Sequence, residues 1–135
     1  DATLLPPPER AVPVLVAAER PKMLGLAAQH ADIWQTAWYG LPGAEFSRKR
    51  AAFVAACGER GGSSPAVGVA VGVSVGELDD DGRVADRSIA LDAAAIAEAL
   101  AAWSAQEVDH VQLGVFPLTR PRLDIVLDAI DRSRR

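Results

Sequence analysis

Cysteine occurs once in the chain, at Cys57, so no intrachain disulfide and no cysteine-based metal site can form. That usage suits a reducing compartment, and a cytoplasmic location is the expectation. No apolar run reaches the length of about 18 residues that a membrane span requires. Asp1 is followed by polar and proline-rich sequence rather than a basic and then apolar stretch, so no signal peptide is read. The start, without methionine, reads as a truncated or processed end. Positive charge is also short: 14 Lys and Arg stand against 18 Asp and Glu, a net −4, with no basic stripe. Nothing here can neutralise a phosphate backbone, so nucleic-acid binding is not expected.

What remains is a chain of 135 residues, half of them hydrophobic, which is enough for one domain with a real core. Residues 1–11, with Pro6-Pro7-Pro8, read as an extended lead-in, and residues 12–135 as the folded part. Val12 to Ala18 is a short apolar run typical of a covered parallel strand. Pro21 then stands where a helix starts, and Met23, Leu24, Ala27, Ala28 and Ala31 recur at helical spacing. Asp32 to Trp38 is a second strand, followed by the turn Gly40 to Gly43 and a helix from Glu45 to Cys57. Gly61 to Pro65 ends that helix.

The clearest periodicity lies between Val67 and Glu77. Val67, Val69, Val71, Val73 and Val75 alternate with Gly68, Ala70, Gly72, Ser74 and Gly76, a strand with one branched and one small face. An acidic loop from Glu77 to Arg87 leads to a helix over Asp92 to Ala105, with Ile96, Leu100 and Trp103 on one stripe and Asp92 at its positive end. Val108 to Val115 is the fourth strand. Leu123, Val126, Leu127 and Ile130 mark a last helix, opened by Thr119 with Pro121 inside it.

Strands alternating with helices imply a parallel sheet with right-handed crossovers, here (βα)4. A complete (β/α)8 barrel needs about 250 residues, so the length fits half of one. The small faces point the same way. Gly68, Gly72, Gly76, Gln112 and Gly114 suit a ligand-bearing barrel interior better than the second covered face of a doubly wound sheet.

The best candidate site is the turn Ala17-Ala18-Glu19-Arg20-Pro21-Lys22. It follows the carboxyl end of a strand and opens a helix, where barrel ligands and anions bind. Ala17 and Ala18 leave room for a phosphate to reach the backbone, Arg20 and Lys22 supply charge, and Glu19 opposes an anion unless turned away or paired. The plain alternative is a strand-to-helix turn in which Glu19 favours the helix end. Trp34 reads as core, whereas Trp38 and Tyr39 suit a pocket wall and a core equally. His30 and His110 read as structural, as does the solvated loop Asp79 to Gly82, which lacks calcium-loop spacing. Phe116 suits a pocket mouth or the core. No activating base is identifiable for Cys57.

The order of the first strand, the Pro21 helix, Ala31-Asp32-Ile33-Trp34, and later Val108-Asp109-His110-Val111-Gln112, resembles the luciferase-like monooxygenase superfamily. The last segment is similar to that family's Gly-Val-Asp-His stretch, with Glu107 in place of the usual glycine. The resemblance covers the chain after Arg10. It implies strands five to eight of a TIM barrel, hence a C-terminal half only, in a flavin- or deazaflavin (F420)-dependent oxidoreductase. It implies FMN or F420 as cofactor, a small organic substrate, and a phosphate turn at Ala17 to Lys22, with Thr36 donating a hydroxyl to the cofactor and Trp38 covering a ring face or a hydrophobic substrate. The residues that face the ring in such enzymes lie largely in the other half, so no catalytic residue is named. A second expectation, of another class, is a non-catalytic half-barrel that dimerises or complements a missing N-terminal half. A small nucleotide-binding doubly wound domain is a third; no Gly-x-Gly-x-x-Gly follows the first strand to support it.

Overall fold

Two aspartates fix how the strands line up. Asp32 Oδ2 accepts the Val14 N–H at 2.7 Å, and Asp109 Oδ2 accepts the Val69 N–H at the same distance. Each carboxylate stands just before its own strand and pins the start of the neighbouring one. The computed structural model describes residues 10–59, 68–78 and 85–134. The Pro6-Pro7-Pro8 segment, the Gly61 to Pro65 stretch and the Asp79 to Gly82 loop fall outside the described residues.

Within them the order is β1 (Leu15–Ala17), α1 (Pro21–His30), β2 (Ile33–Tyr39), α2 (Ala44–Gly58), β3 (Gly68–Val75), β4 (Ser88–Ile89), α3 (Ala93–Ser104), β5 (His110–Val115) and α4 (Arg120–Ser133). All pairings are parallel, and β1, β2, β3 and β5 run side by side. This is the (βα)4 half-barrel expected from the alternation, with one addition. Two-residue β4 also pairs with β3, Val75 lying opposite both Ile89 and Val115. Strand β4 therefore occupies β2's side of β3, beyond the point where β2 has turned away.

The expected first strand was longer than the observed one. Pro13 offers no N–H to a ladder, so regular pairing starts only at Leu15, although the Val14 carbonyl still accepts from Asp32 and Ile33. The last strand likewise starts at His110 rather than Val108. Before it, Glu107 takes the left-handed conformation (φ 54°), a backbone shape that favours glycine.

The core lies between the sheet and the helices. Trp34 stacks on Phe53 with ring centres 4.5 Å apart, seating α2 against β2. Further along, Tyr39, Phe46 and Trp103 meet edge-on or tilted at 4.9–6.0 Å, and Trp103 donates its indole N–H to the Gly40 carbonyl. Val69, Val71, Val73 and Val75 are all buried on this side of β3. Asp92 caps α3 outright, accepting from the N–H groups of Ala94 and Ala95. On α4 the buried positions are Val126 and Ala129, while Leu123 and Leu127 of the expected stripe are exposed. Ile125 and Ile130, partly buried, complete the contact face.

Candidate functional site

The β1–α1 turn is built as an open helix end. Ala18 is buried and locked twice: its N–H donates to the Gln35 carbonyl, and its own carbonyl accepts the Trp34 indole N–H at 2.8 Å. Arg20 precedes the helix in extended conformation, and no side chain caps it. Pro21 has no N–H, and the first in-turn bond runs from Leu24 to Arg20, so the Lys22 and Met23 amides face outward. Glu19 does not oppose an anion there, because Lys49 of α2 draws it away at 2.7 Å. Among the described residues neither Arg20 nor Lys22 forms an ion pair, and both are exposed. An anionic group fits this end: free amides, an unopposed positive dipole end and two cations.

Lys49 is a node. It also pairs with Glu45 at 3.1 Å and stands 5.5 Å from the centre of the Tyr39 ring. Partial burial acts to depress the Lys49 ammonium, but its hydrogen bonds to Glu19 and Glu45 outweigh this and hold it above its ordinary value. The Lys49 hydrogen bond holds the Glu45 carboxyl below its ordinary range. Glu45 in turn pairs with Arg87 at 3.2 Å, and Arg87 stands 5.6 Å from the centre of the same Tyr39 ring.

A second region lies at that end. Thr36 is opposite Val71 and Tyr39 opposite Val73, so two residues, Ala37 and Trp38, face the single residue Gly72. This bulge turns Trp38 to the inner face. Its indole lies across two glycines: a Cβ placed on Gly72 would stand 2.8 Å from the ring, and one on Gly114 3.0 Å from it. With 49 % of Trp38 exposed, the ring's other side borders a cavity of about 1110 Å³. Ser74, Gly76, Glu77, Arg87, Phe116 and Arg122 are among its walls. The cavity sits where barrel ligands bind, at the carboxyl ends of the strands.

The expected site residues thus divide. Ala17, Ala18, Glu19, Arg20, Pro21 and Lys22 form one contiguous turn, and Trp38 lines the cavity. Thr36 joins neither: only 2 % exposed on the helix side of β2, it spends its hydroxyl on the Tyr39 hydroxyl at 2.8 Å. The alternation of β2 turns Thr36 away from the interior, which corrects its expected place beside a cofactor. Tyr39 belongs to the core, as does Trp34, and Phe116 stands at the mouth. His30 and His110 are exposed and apart, and among the described residues no cluster of His, Cys, Asp or Glu could hold a metal. Sequence reasoning missed Arg122, Arg87 and Glu77. The glycines of β3 and β5 signalled that something lies over them, without saying that it is the chain's own indole.

A family model described as luciferase-like monooxygenase matches residues 1–114, and the chain belongs to that family. No curated protein matches it. The family is one of flavin-type oxidoreductases, generally using flavin or F420. Among the described residues no helix is long and apolar enough to cross a membrane.

Proposed function

We propose that this chain supplies the cofactor-phosphate turn and part of the pocket wall of a flavin- or F420-dependent oxidoreductase acting on a small organic substrate. The observation that carries this reading is the uncapped start of α1 with Glu19 drawn off by Lys49. The Lys22 and Met23 amides, with Arg20 and Lys22, would hold the phosphate, and Ala18, fixed by Trp34, keeps the turn narrow. The bound ring system supplies the hydride or oxygen chemistry. The chain's own part is to anchor the tail and shape the cavity beside Trp38.

Fluorescence titration with FMN, F420 and riboflavin tests this. FMN or F420 is expected to bind and riboflavin, lacking the phosphate, to bind more weakly. Arg20→Ala should weaken FMN or F420 by about 5- to 10-fold, the effect of losing one exposed charge-assisted contact worth about 1 kcal/mol. A folded sample that binds neither defeats the reading, and an unchanged affinity removes Arg20 from the site.

A second reading is favoured by the sheet's borders. Among the described residues β1 and β5 each pair on one side only, and Val12, Val14 and Leu15 are exposed along the β1 border. Unpaired parallel edges invite another chain. We infer that the half-barrel pairs with a second copy or with a complementary half. Sedimentation equilibrium of the isolated chain is expected to give a mass that rises with concentration towards a dimer; a monomer throughout the micromolar range rules out self-pairing.

A further inference from the structure

The inner face of β3 is sealed along part of its length by the chain's own side chains. Ala70 and Gly72 lie on that face, on the side away from the helices, and both are buried, Ala70 at 0 % exposure. Two covers account for this. Gln35 stands opposite Ala70 and Gln112 opposite Gly72, and the Gln35 amide donates to Gln112 Oε1 at 2.6 Å, so the two side chains bridge across β3. Nearer the carboxyl end, the Trp38 indole lies over Gly72 and Gly114, where an added Cβ would meet it at 2.8 and 3.0 Å. Neither glycine has a side chain to hold the ring off the backbone.

Beyond the indole the face opens. Ser74, the next inner residue of β3, is half-buried and lines the cavity, as do Ala37, Trp38 and Gly114, whereas Ala70, Gly72 and Gln112 are not among its described walls. The cavity therefore ends at Trp38, with the amide bridge behind the ring. Its chemistry is ordered in the same direction. The inner end is the carbon surface of the indole beside the bare backbone of Gly114. The polar groups stand at the mouth: Glu77, which accepts from the Ser74 hydroxyl at 2.7 Å, and Arg122. A ligand whose inner end is apolar gives up no hydrogen bond there; one whose inner end is polar does.

We propose that Trp38 is the specificity-determining residue of this cavity, a floor that stops a ligand entering apolar end first and so sets the length accepted. The ligand class is a molecule with an apolar tail and one polar end, the tail resting on the indole and the polar end at the mouth. That such a ligand is the substrate rests on the oxidoreductase reading; the floor is measured without any cofactor, so either can fail alone.

Titration of the chain with 1-alkanols from butanol to decanol, followed by NMR at the Ser74 and Gly114 amides, provides the test. In the wild-type chain affinity should rise roughly fourfold per methylene, as buried CH2 groups give, and stop rising at a definite length. Trp38→Ala should carry the rise past that length and Trp38→Phe should carry it less far. Saturating free indole should return Trp38→Ala to the wild-type limit. 1,6-Hexanediol, which must lay one hydroxyl on the floor, should bind the wild-type chain about fivefold more weakly than 1-hexanol. That gap should shrink in Trp38→Ala, where the Gln35 and Gln112 amides become the inner end. Absence of alkanol binding by folded wild-type protein, a rise without a limit, a limit that both Trp38 variants leave in place, or equal binding of hexanol and hexanediol would overturn the proposal.

Discussion

Trp34→Ala is expected to remove about 3–5 kcal/mol of folding stability, the usual range for deleting a fully buried tryptophan. Two losses combine. The indole is fully buried and stacked on Phe53, so its removal opens a large cavity between β2 and α2. Its N–H is also the partner of the buried Ala18 carbonyl. Trp34→Phe separates them, because it keeps much of the stacking and leaves the carbonyl unpaired, at a cost of about 1–3 kcal/mol. Urea denaturation measures both, and FMN titration of Trp34→Phe shows whether a loosened Ala18 weakens phosphate binding. If Trp34→Ala costs under 1 kcal/mol, the indole does not hold β2, α2 and the turn together.

The second large effect concerns the glycines under Trp38. A methyl at position 72 would stand 2.8 Å from Ala37 Cβ and from the indole, far inside ordinary contact distance. Gly72→Ala should therefore cost about 1–3 kcal/mol, as overpacked sites do. At Gly114 the close atoms belong to Trp38, at 3.0 and 3.3 Å, with only the Val73 carbonyl beyond them at 3.7 Å. In a Trp38→Ala background the Gly114→Ala penalty should vanish, whereas Gly72→Ala should keep the share due to Ala37. A coupling of at least about 0.5 kcal/mol between positions 114 and 38 is expected from neighbours in contact. Strict additivity in that double-mutant cycle would mean that the ring does not rest on these glycines.

These contacts mark the limit of what the chain reveals as text. The valine–glycine alternation of β3 disclosed both a strand and its two unlike faces, because period two is a direct imprint of the pleat. The helix opened by Pro21 was equally plain. The bulge in β2 was not: Ile33 to Tyr39 is mixed apolar throughout, and no turn residue marks position 37. Its consequence, Trp38 inward and Tyr39 outward, followed from pairing with β3. Thr36 precedes the bulge, and plain alternation from the buried Trp34 already puts it on the helix side, opposite Val71. Strand β4 has only two residues and exists because β2 leaves its lane. The Glu19–Lys49 pair spans 30 positions, and Arg122 reaches the cavity from a helix whose apolar stripe said nothing about its first turn. The Asp32 and Asp109 motifs were visible as family likeness, but their work as clamps on neighbouring strands needed coordinates.

The surplus residue in β2 alters the parity of the strand. With strict alternation, Trp34, Thr36 and Trp38 would share one side, and Tyr39 would fall on the other. One added position reverses the order after Ala37, so a single seven-residue segment furnishes aromatic groups to both layers. Deleting Ala37 would therefore regularise the segment without moving either ring: Trp38 alone would stand opposite Gly72 and face inward, and Tyr39 opposite Val73 would still face the helices.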